Sequence, residues 1–319
     1  MTSMVEHGAI VDALRQVFAG ADGADATQAL RAFGLGDLFA DDLAAAVRHV
    51  FAEQGRSGAR SAALADLQAT VIGRHVPGLD ANVGLTETYG LSDPPLELND
   101  GRLTGAALTL GRPTSVALAA RDDDVTAVLT VDGTSTVVEG MAPELGLWRT
   151  TFAGSTVTVV SVGEAAQSAW RDAIAWGRTA LAWQIVGGAR TALTQTTAHA
   201  EAREQFGRPI GTFQAVQHRL AETLVAIEAA EAVLQLITDP IDPLVAATAK
   251  SLASRAYDAT ARHCLQVLGG IGFTAEHPFD AFLRRGYCLD RLLGSRSDLS
   301  LAIGRELIAA RSVPTLCAL

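Results

Sequence analysis

The chain has 319 residues, 49% of them hydrophobic, and a formal net charge of −10. That length and apolar content predict a folded protein with a sizeable core and exclude a disordered chain. The acidic balance excludes a general basic surface for nucleic acid or anionic membranes.

Lys250 is the only lysine among 25 basic residues. The cysteines Cys264, Cys288 and Cys317 are odd in number and lack metal-type spacing, so they read as free thiols in a reducing compartment. The first residues carry no basic-then-apolar signal pattern, and no run of 18 apolar residues occurs. These features predict a cytoplasmic protein.

Residues 5–75 read as helical. Val5, Ile10, Val11, Leu14 and Val17 recur at helical spacing, and further blocks lie near 26–33, 40–54 and 59–73. The pattern changes near Gly84. Asp100-Gly101 forms a turn between short alternating runs. Val116 to Ala120 and Val125 to Val131 flank Asp122-Asp123-Asp124 as a second hairpin with a solvated tip. Val137-Val138 and Thr156 to Val162 add β-branched runs. From Gly163 onward the chain reads as helical. A long helix is expected over 164–204, broken by Pro209 and Gly211, with Thr212 as N-cap of a helix to Ile237. A third helix covers 244–268 and stops at Gly269-Gly270. Shorter ones follow near 277–291 and 298–311. The fold class is mainly α with a small β domain: N-terminal helical domain 1–82, middle β domain 83–162, and a C-terminal antiparallel four-helix bundle over 163–319.

Two motifs stand out. Arg203-Glu204-Gln205-Phe206-Gly207 leads into Phe213-Gln214-Ala215-Val216-Gln217, and Gln266-Val267-Leu268-Gly269-Gly270 follows in the next long helix. On spacing alone, an arginine at a helix C-terminus reads as a complement to the helix dipole. The paired motifs resemble the cofactor-holding half of the acyl-CoA dehydrogenase family. The likeness runs in domain order along nearly the whole chain. It is strong over 164–311, fair over 84–133 and poor over 1–75.

The resemblance implies the acyl-CoA dehydrogenase fold and FAD as cofactor. In that family the flavin ring sits between the β domain and the bundle of one subunit, and the diphosphate and adenosine reach a neighbouring subunit's bundle. Arg203 matches the diphosphate-pairing arginine, whose fork suits phosphate oxygens. Phe206 matches the aromatic beside it, and Gln214 falls where a polar group meets the adenosine half. Gln266, Gly269 and Gly270 match the Gln-x-x-Gly-Gly contact, where glycine lets backbone approach closely.

The departures matter as much. The family's glycine-rich loop beside the flavin is altered to Leu85-Thr86-Glu87-Thr88-Tyr89-Gly90-Leu91-Ser92-Asp93. Its Trp-Ile-Thr strand is replaced by Leu108-Thr109-Leu110-Gly111-Arg112-Pro113. Dehydrogenation of an acyl-CoA removes an α-proton to a glutamate as hydride passes to flavin. That glutamate stands in the turn before the last helix, where this chain has Leu293, or on the long helix, where it has Gly177-Arg178. Asp172 lies five residues from the latter, on a different face. No catalytic residue is therefore expected.

The likeness implies the short, base-lacking subunit of the actinobacterial heterotetrameric acyl-CoA dehydrogenases that degrade steroid side chains. Its partner would be a full-length chain, and the substrate an acyl-CoA thioester. A self-sufficient homo-oligomeric dehydrogenase with an unrecognised base and a non-enzymatic helical scaffold remain alternatives. The scattered histidines suggest no metal site. Arg284-Arg285 reads as surface, with subunit packing or a CoA phosphate as alternatives.

Overall fold

The computed structural model describes residues 4–20, 24–79, 82–84, 96–122 and 125–311. The chain opens with helices α1 (Met4–Gly20), α2 (Ala24–Ala32), α3 (Leu35–Asp41), α4 (Leu43–Ser57) and α5 (Ala63–His75). The block expected at 40–54 is two helices meeting at Asp42. This residue leaves helical geometry, and its carboxylate accepts from Ala45 N at 3.0 Å as the N-cap of α4. Gly34, in the left-handed region, sets α3 off from α2.

The β region contains β1 (Asn82–Val83), β2 (Leu96–Asn99), β3 (Arg102–Leu110), β4 (Val116–Asp122), β5 (Val125–Val131), β6 (Thr134–Val137) and β7 (Leu147–Val162). Asp100 and Gly101 both have positive φ, as a tight two-residue hairpin turn requires. Asp123-Asp124 and the loop 85–93 lie outside the described residues. Strand β7 is longer than the β-branched run at its end indicated. Its first part pairs with β3 and β6 and its last part with β5, while β2 pairs in parallel with β4. The sheet thereby closes on itself.

The C-terminal half comprises α6 (Glu164–Ala202), a hairpin of β8 (Glu204–Gln205) and β9 (Arg208–Pro209), α7 (Gln214–Leu234), α8 (Pro243–Leu268), α9 (Pro278–Arg291) and α10 (Arg296–Ala310). Two expectations need correction. Thr212 does not cap α7; it closes a 3₁₀ turn, its hydroxyl donating to Pro209 O at 2.7 Å, and Phe213 takes the N-cap place without a side-chain bond. The helix ends at Leu234, three residues early.

Helix α6 organises the molecule. From Ala173 to Gly187 every residue is buried, so this stretch has no polar face. Helices α4 and α5 pack on it from the N-terminal side of the chain, and α7 and α8 from the other. At the α4–α6 crossing the backbones touch. A Cβ on Gly55 would lie 2.0 Å from Gln184 O, and one on Gly187 would lie 2.2 Å from Ala52 O. Only glycine permits that approach. Arg190 ties α6 to α7 through Glu228 at 2.7 Å and Glu231 at 2.5 Å. Arg284 is not a bare surface residue. It bonds Asp280 at 3.0 Å and Met141 O at 3.0 Å, and lies 3.6 Å from Glu144, tying α9 to the β region.

Candidate functional site

The two sequence motifs meet at one end of the bundle. Helices α6, α7 and α8 run alternately up and down, so the end of α6, the start of α7 and the end of α8 share that end. Burial lowers the His199 pKa, and the nearby His277 and Arg203 lower it further, so the end of α6 and the start of α9 adjoin there. Arg203 leaves the helix in extended geometry and anchors the β8–β9 hairpin, its carbonyl accepting from Ile210 N at 2.8 Å. Among the described residues, its guanidinium has no carboxylate partner.

The hairpin turns at Phe206-Gly207, both with positive φ. A phenylalanine is uncommon in that region, and strain of this kind concentrates at functional sites. The Phe206 ring is 92% exposed. Its neighbour Phe213 lies edge-on at 6.1 Å, and the Arg208 guanidinium sits 4.2 Å over the Phe213 ring. Gln214 and Gln266 are exposed nearby on the same end. Gly269 has positive φ and ends α8, whereas a side chain at Gly270 would meet nothing within 4 Å. No internal packing requires glycine at 270, which suits an approach by an outside group. An uncommitted guanidinium beside approachable backbone has the donor chemistry a diphosphate needs. The residues present thus fit the FAD tail.

The positions where a base was sought lie at the other end. Gly177 is 26 residues before Arg203 on the same helix, roughly 39 Å away at 1.5 Å per residue. Gly177 and Leu293, found by separate comparisons with the family pattern, touch each other. A Cβ on Gly177 would lie 2.6 Å from Leu293 Cδ1. Leu293 is 2% exposed and caps the turn after α9 with φ 57. Among the described residues, no carboxylate enters this spot. Asp172 faces elsewhere, held 3.0 Å from His75 Nε2 and 3.0 Å from Arg171 Nε.

Three polar groups surround the spot, and of them only Arg178 was placed there by the family pattern. Arg178, fully buried, donates to Leu293 O at 2.9 Å, and burial pushes its pKa down to about 10. Lys250 donates to Asp290 O at 2.8 Å and Gly294 O at 2.7 Å. Two cations thereby hold three carbonyls of one turn. Gln68, on α5, brings its buried amide to 3.1 Å from the same Gly177 Cβ position and makes no hydrogen bond among the described residues. The signal for Lys250 was present in the sequence: a lone lysine in an arginine-only chain. Gln68 gave none.

On the β side, Thr109 is fully buried and its hydroxyl donates to Gly111 O at 3.0 Å. The Trp148 ring stands beside it on β7, under Arg112 at 5.6 Å. A cavity of about 210 Å³ among helices α4, α6 and α9 is lined by Gly188, Phe282 and Arg285. Among the described residues there is no cluster that could hold a metal ion, and no helix is long and apolar enough to cross a membrane.

Residues 168–308 match the family model described as acyl-CoA dehydrogenase, C-terminal domain. That match covers the bundle, 141 of the 319 residues. The whole chain carries the acyl-CoA dehydrogenase fold. It superposes on the ChsE4-ChsE5 complex from Mycobacterium tuberculosis with a TM-score of 0.81 at 21% identity, covering 99% of each chain. With the Tcur3481-Tcur3483 steroid acyl-CoA dehydrogenase G363A variant the TM-score is 0.80 at 23% identity, covering 97% and 99%. In sequence it is 41% identical over 115 residues to acyl-CoA dehydrogenase IpdE2 of M. tuberculosis, 36% of each protein. It is 38% identical over 158 residues to FadE34 of the same organism, 47% of this chain and 21% of that one. The matched part is thus about a third of IpdE2 and a fifth of FadE34.

Proposed function

We propose that this chain is the non-catalytic subunit of an FAD-dependent acyl-CoA dehydrogenase, working with a full-length partner that carries the base. The observation that carries this is the contact between Gly177 and Leu293. Two positions at which a glutamate would act converge on one spot, and that spot is filled by leucine. A leucine accepts no proton, so α-proton abstraction falls to another chain. At the opposite end the groups suited to a diphosphate are exposed and uncommitted. One chain cannot bring Gly177 and Arg203 to one flavin, since they lie roughly 39 Å apart. That separation supports a cofactor shared between chains.

FAD, when bound, accepts the hydride removed from the β-carbon. This chain's part is to bind. Arg203 pairs with the diphosphate, Phe206 packs beside it, Gln214 and Gln266 meet the adenosine half, and the Gly269-Gly270 backbone closes on the tail. The exposed apolar groups around this end, Phe206, Ile271 and Phe273, together with Leu224 and Val225 on α7, are what a partner surface would cover. The solved ChsE4-ChsE5 complex, whose fold this chain shares, supports a two-chain assembly. An acyl-CoA with a steroid-derived side chain is the substrate this reading favours.

The test is purification of the chain alone and together with its partner. The expected result is a colourless, inactive chain alone and a yellow complex that oxidises acyl-CoA. Steady turnover by the chain alone with its own flavin would overturn the proposal.

A further inference from the structure

The β8–β9 hairpin presents a second guanidinium whose place the motif comparison did not use. Arg208 lies 4.2 Å above the Phe213 ring, with Phe206 edge-on to that ring at 6.1 Å. A guanidinium lying over an aromatic face keeps its N–H groups pointing outward in its own plane. The contact therefore holds the guanidinium in place, and no carboxylate among the described residues occupies its donors. Among the described residues, Arg208 makes no ion pair with any carboxylate, although Glu201 and Glu204 are close in sequence. The residue pairs across the hairpin with Gln205, only two positions from Arg203, and both side chains are exposed. A short hairpin thus carries two uncommitted guanidinium groups, one at its root and one on its return strand. Its turn is a strained Phe206-Gly207 pair.

We propose that Arg208, oriented by Phe213, is a second anion-gripping residue that acts with Arg203 on one diphosphate. Two negative phosphate groups match two cations better than one, and the stack lowers the side-chain entropy lost on binding. The Arg208 donors are oriented by a ring, so a lysine there is a poor substitute. This inference rests on the reading of the hairpin as the grip on an FAD tail.

The experiment uses the complex of this chain with its partner, co-expressed and purified with flavin. Free and bound FAD are measured by flavin fluorescence on dilution, for wild type and for Arg203→Gln, Arg208→Gln, Arg208→Lys and Phe213→Leu. Thermal melting of each complex checks folding. The expected result is FAD binding weakened about tenfold or more by Arg208→Gln. Arg208→Lys should restore only part of it, and Phe213→Leu should cause a smaller loss. The unfolding midpoint of the flavin-stripped complex should stay unchanged, since bound flavin itself raises the midpoint. An intact FAD affinity in Arg208→Gln alongside a weakened one in Arg203→Gln would overturn this inference and keep the reading beneath it. Unchanged affinity in both would overturn the reading itself.

Discussion

Leu293 and Gly177 share one volume, and their sizes are coupled. Leu293→Ala leaves a cavity and should cost about 2–5 kcal/mol. Gly177→Ala forces its new methyl against Leu293 Cδ1 and should cost about 1–3 kcal/mol. Combined, the added methyl occupies part of the space the leucine left, so the double variant should lose less than the sum. Urea denaturation of the four proteins measures this; strict additivity would mean the two side chains do not compete. Lys250 gives a second prediction at this scale. Burial pushes its pKa down to about 7, partly offset by Asp290 on α9 and Asp298 on α10, and reinforced by Arg178 on α6. An unfolded lysine keeps its proton to about pH 10.4. Between those values the unfolded chain binds more protons than the folded one, so this group makes stability rise with pH from about 7 upward and contributes no slope below that. Lys250→Met should remove that rise, seen as the difference in urea midpoint between pH 7 and pH 9.5. It should also lower stability at every pH through the lost bonds to Asp290 O and Gly294 O. A pH slope unaltered by the substitution would show that Lys250 titrates normally.

At the scale of elements, much of the fold was legible and the reasons for the misses are physical. The β2–β3 hairpin was readable because Asp100-Gly101 is a turn that almost only such residues make. Helix α8 was readable because Asp242, whose carboxylate accepts from Leu244 N at 2.8 Å, and Gly269 bracket it. Helix α3 was missed because seven residues give periodicity too few turns to show. Leu224, which shares the apolar pattern of α7 with the buried Ile227, is 41% exposed. A helix with two apolar faces looks the same in sequence whether its second face meets its own chain or another. The centre of α6 carries the opposite lesson. It is buried on every side, and what locates its packing is the glycines that let α4 approach. Gly187→Ala should therefore push two backbones apart, since the added carbon would lie 2.2 Å from Ala52 O. The expected loss is about 3 kcal/mol, at the upper end for overpacking. A change at the half-buried Gly304, where an added Cβ meets nothing within 4 Å, should be neutral or mildly stabilising in the same thermal melts. Equal effects at both positions would show that the crossing is looser than the geometry has it.

For the whole molecule, the division between the two ends of α6 decides the behaviour of the assembly. The end with Arg203 presents Phe206 at 92% exposure, with Phe273 at 69%, and bears cations that pair with no carboxylate among the described residues. A monomer exposing such a surface is at risk of self-association. The end with Leu293 is closed by two cations that hold a turn from within, and it offers solvent no titratable side chain where a base would stand. The candidate tail-binding residues were legible in sequence because an arginine, an aromatic and two glycines at fixed spacing leave a signature. The sealing of the other end was not, because Gln68 and Lys250 reach it from helices distant in sequence. The two ends should respond independently to change. Arg203→Gln should release FAD from the purified complex while leaving the folding of this chain, followed by its tryptophan fluorescence in urea, unaltered. Leu293→Ala should do the reverse, lowering the urea midpoint by its cavity cost while the complex stays yellow. A Leu293→Ala complex that lost its flavin with the chain still folded would place the cofactor's ring in this chain's own cleft, and the two-chain division of labour would fall.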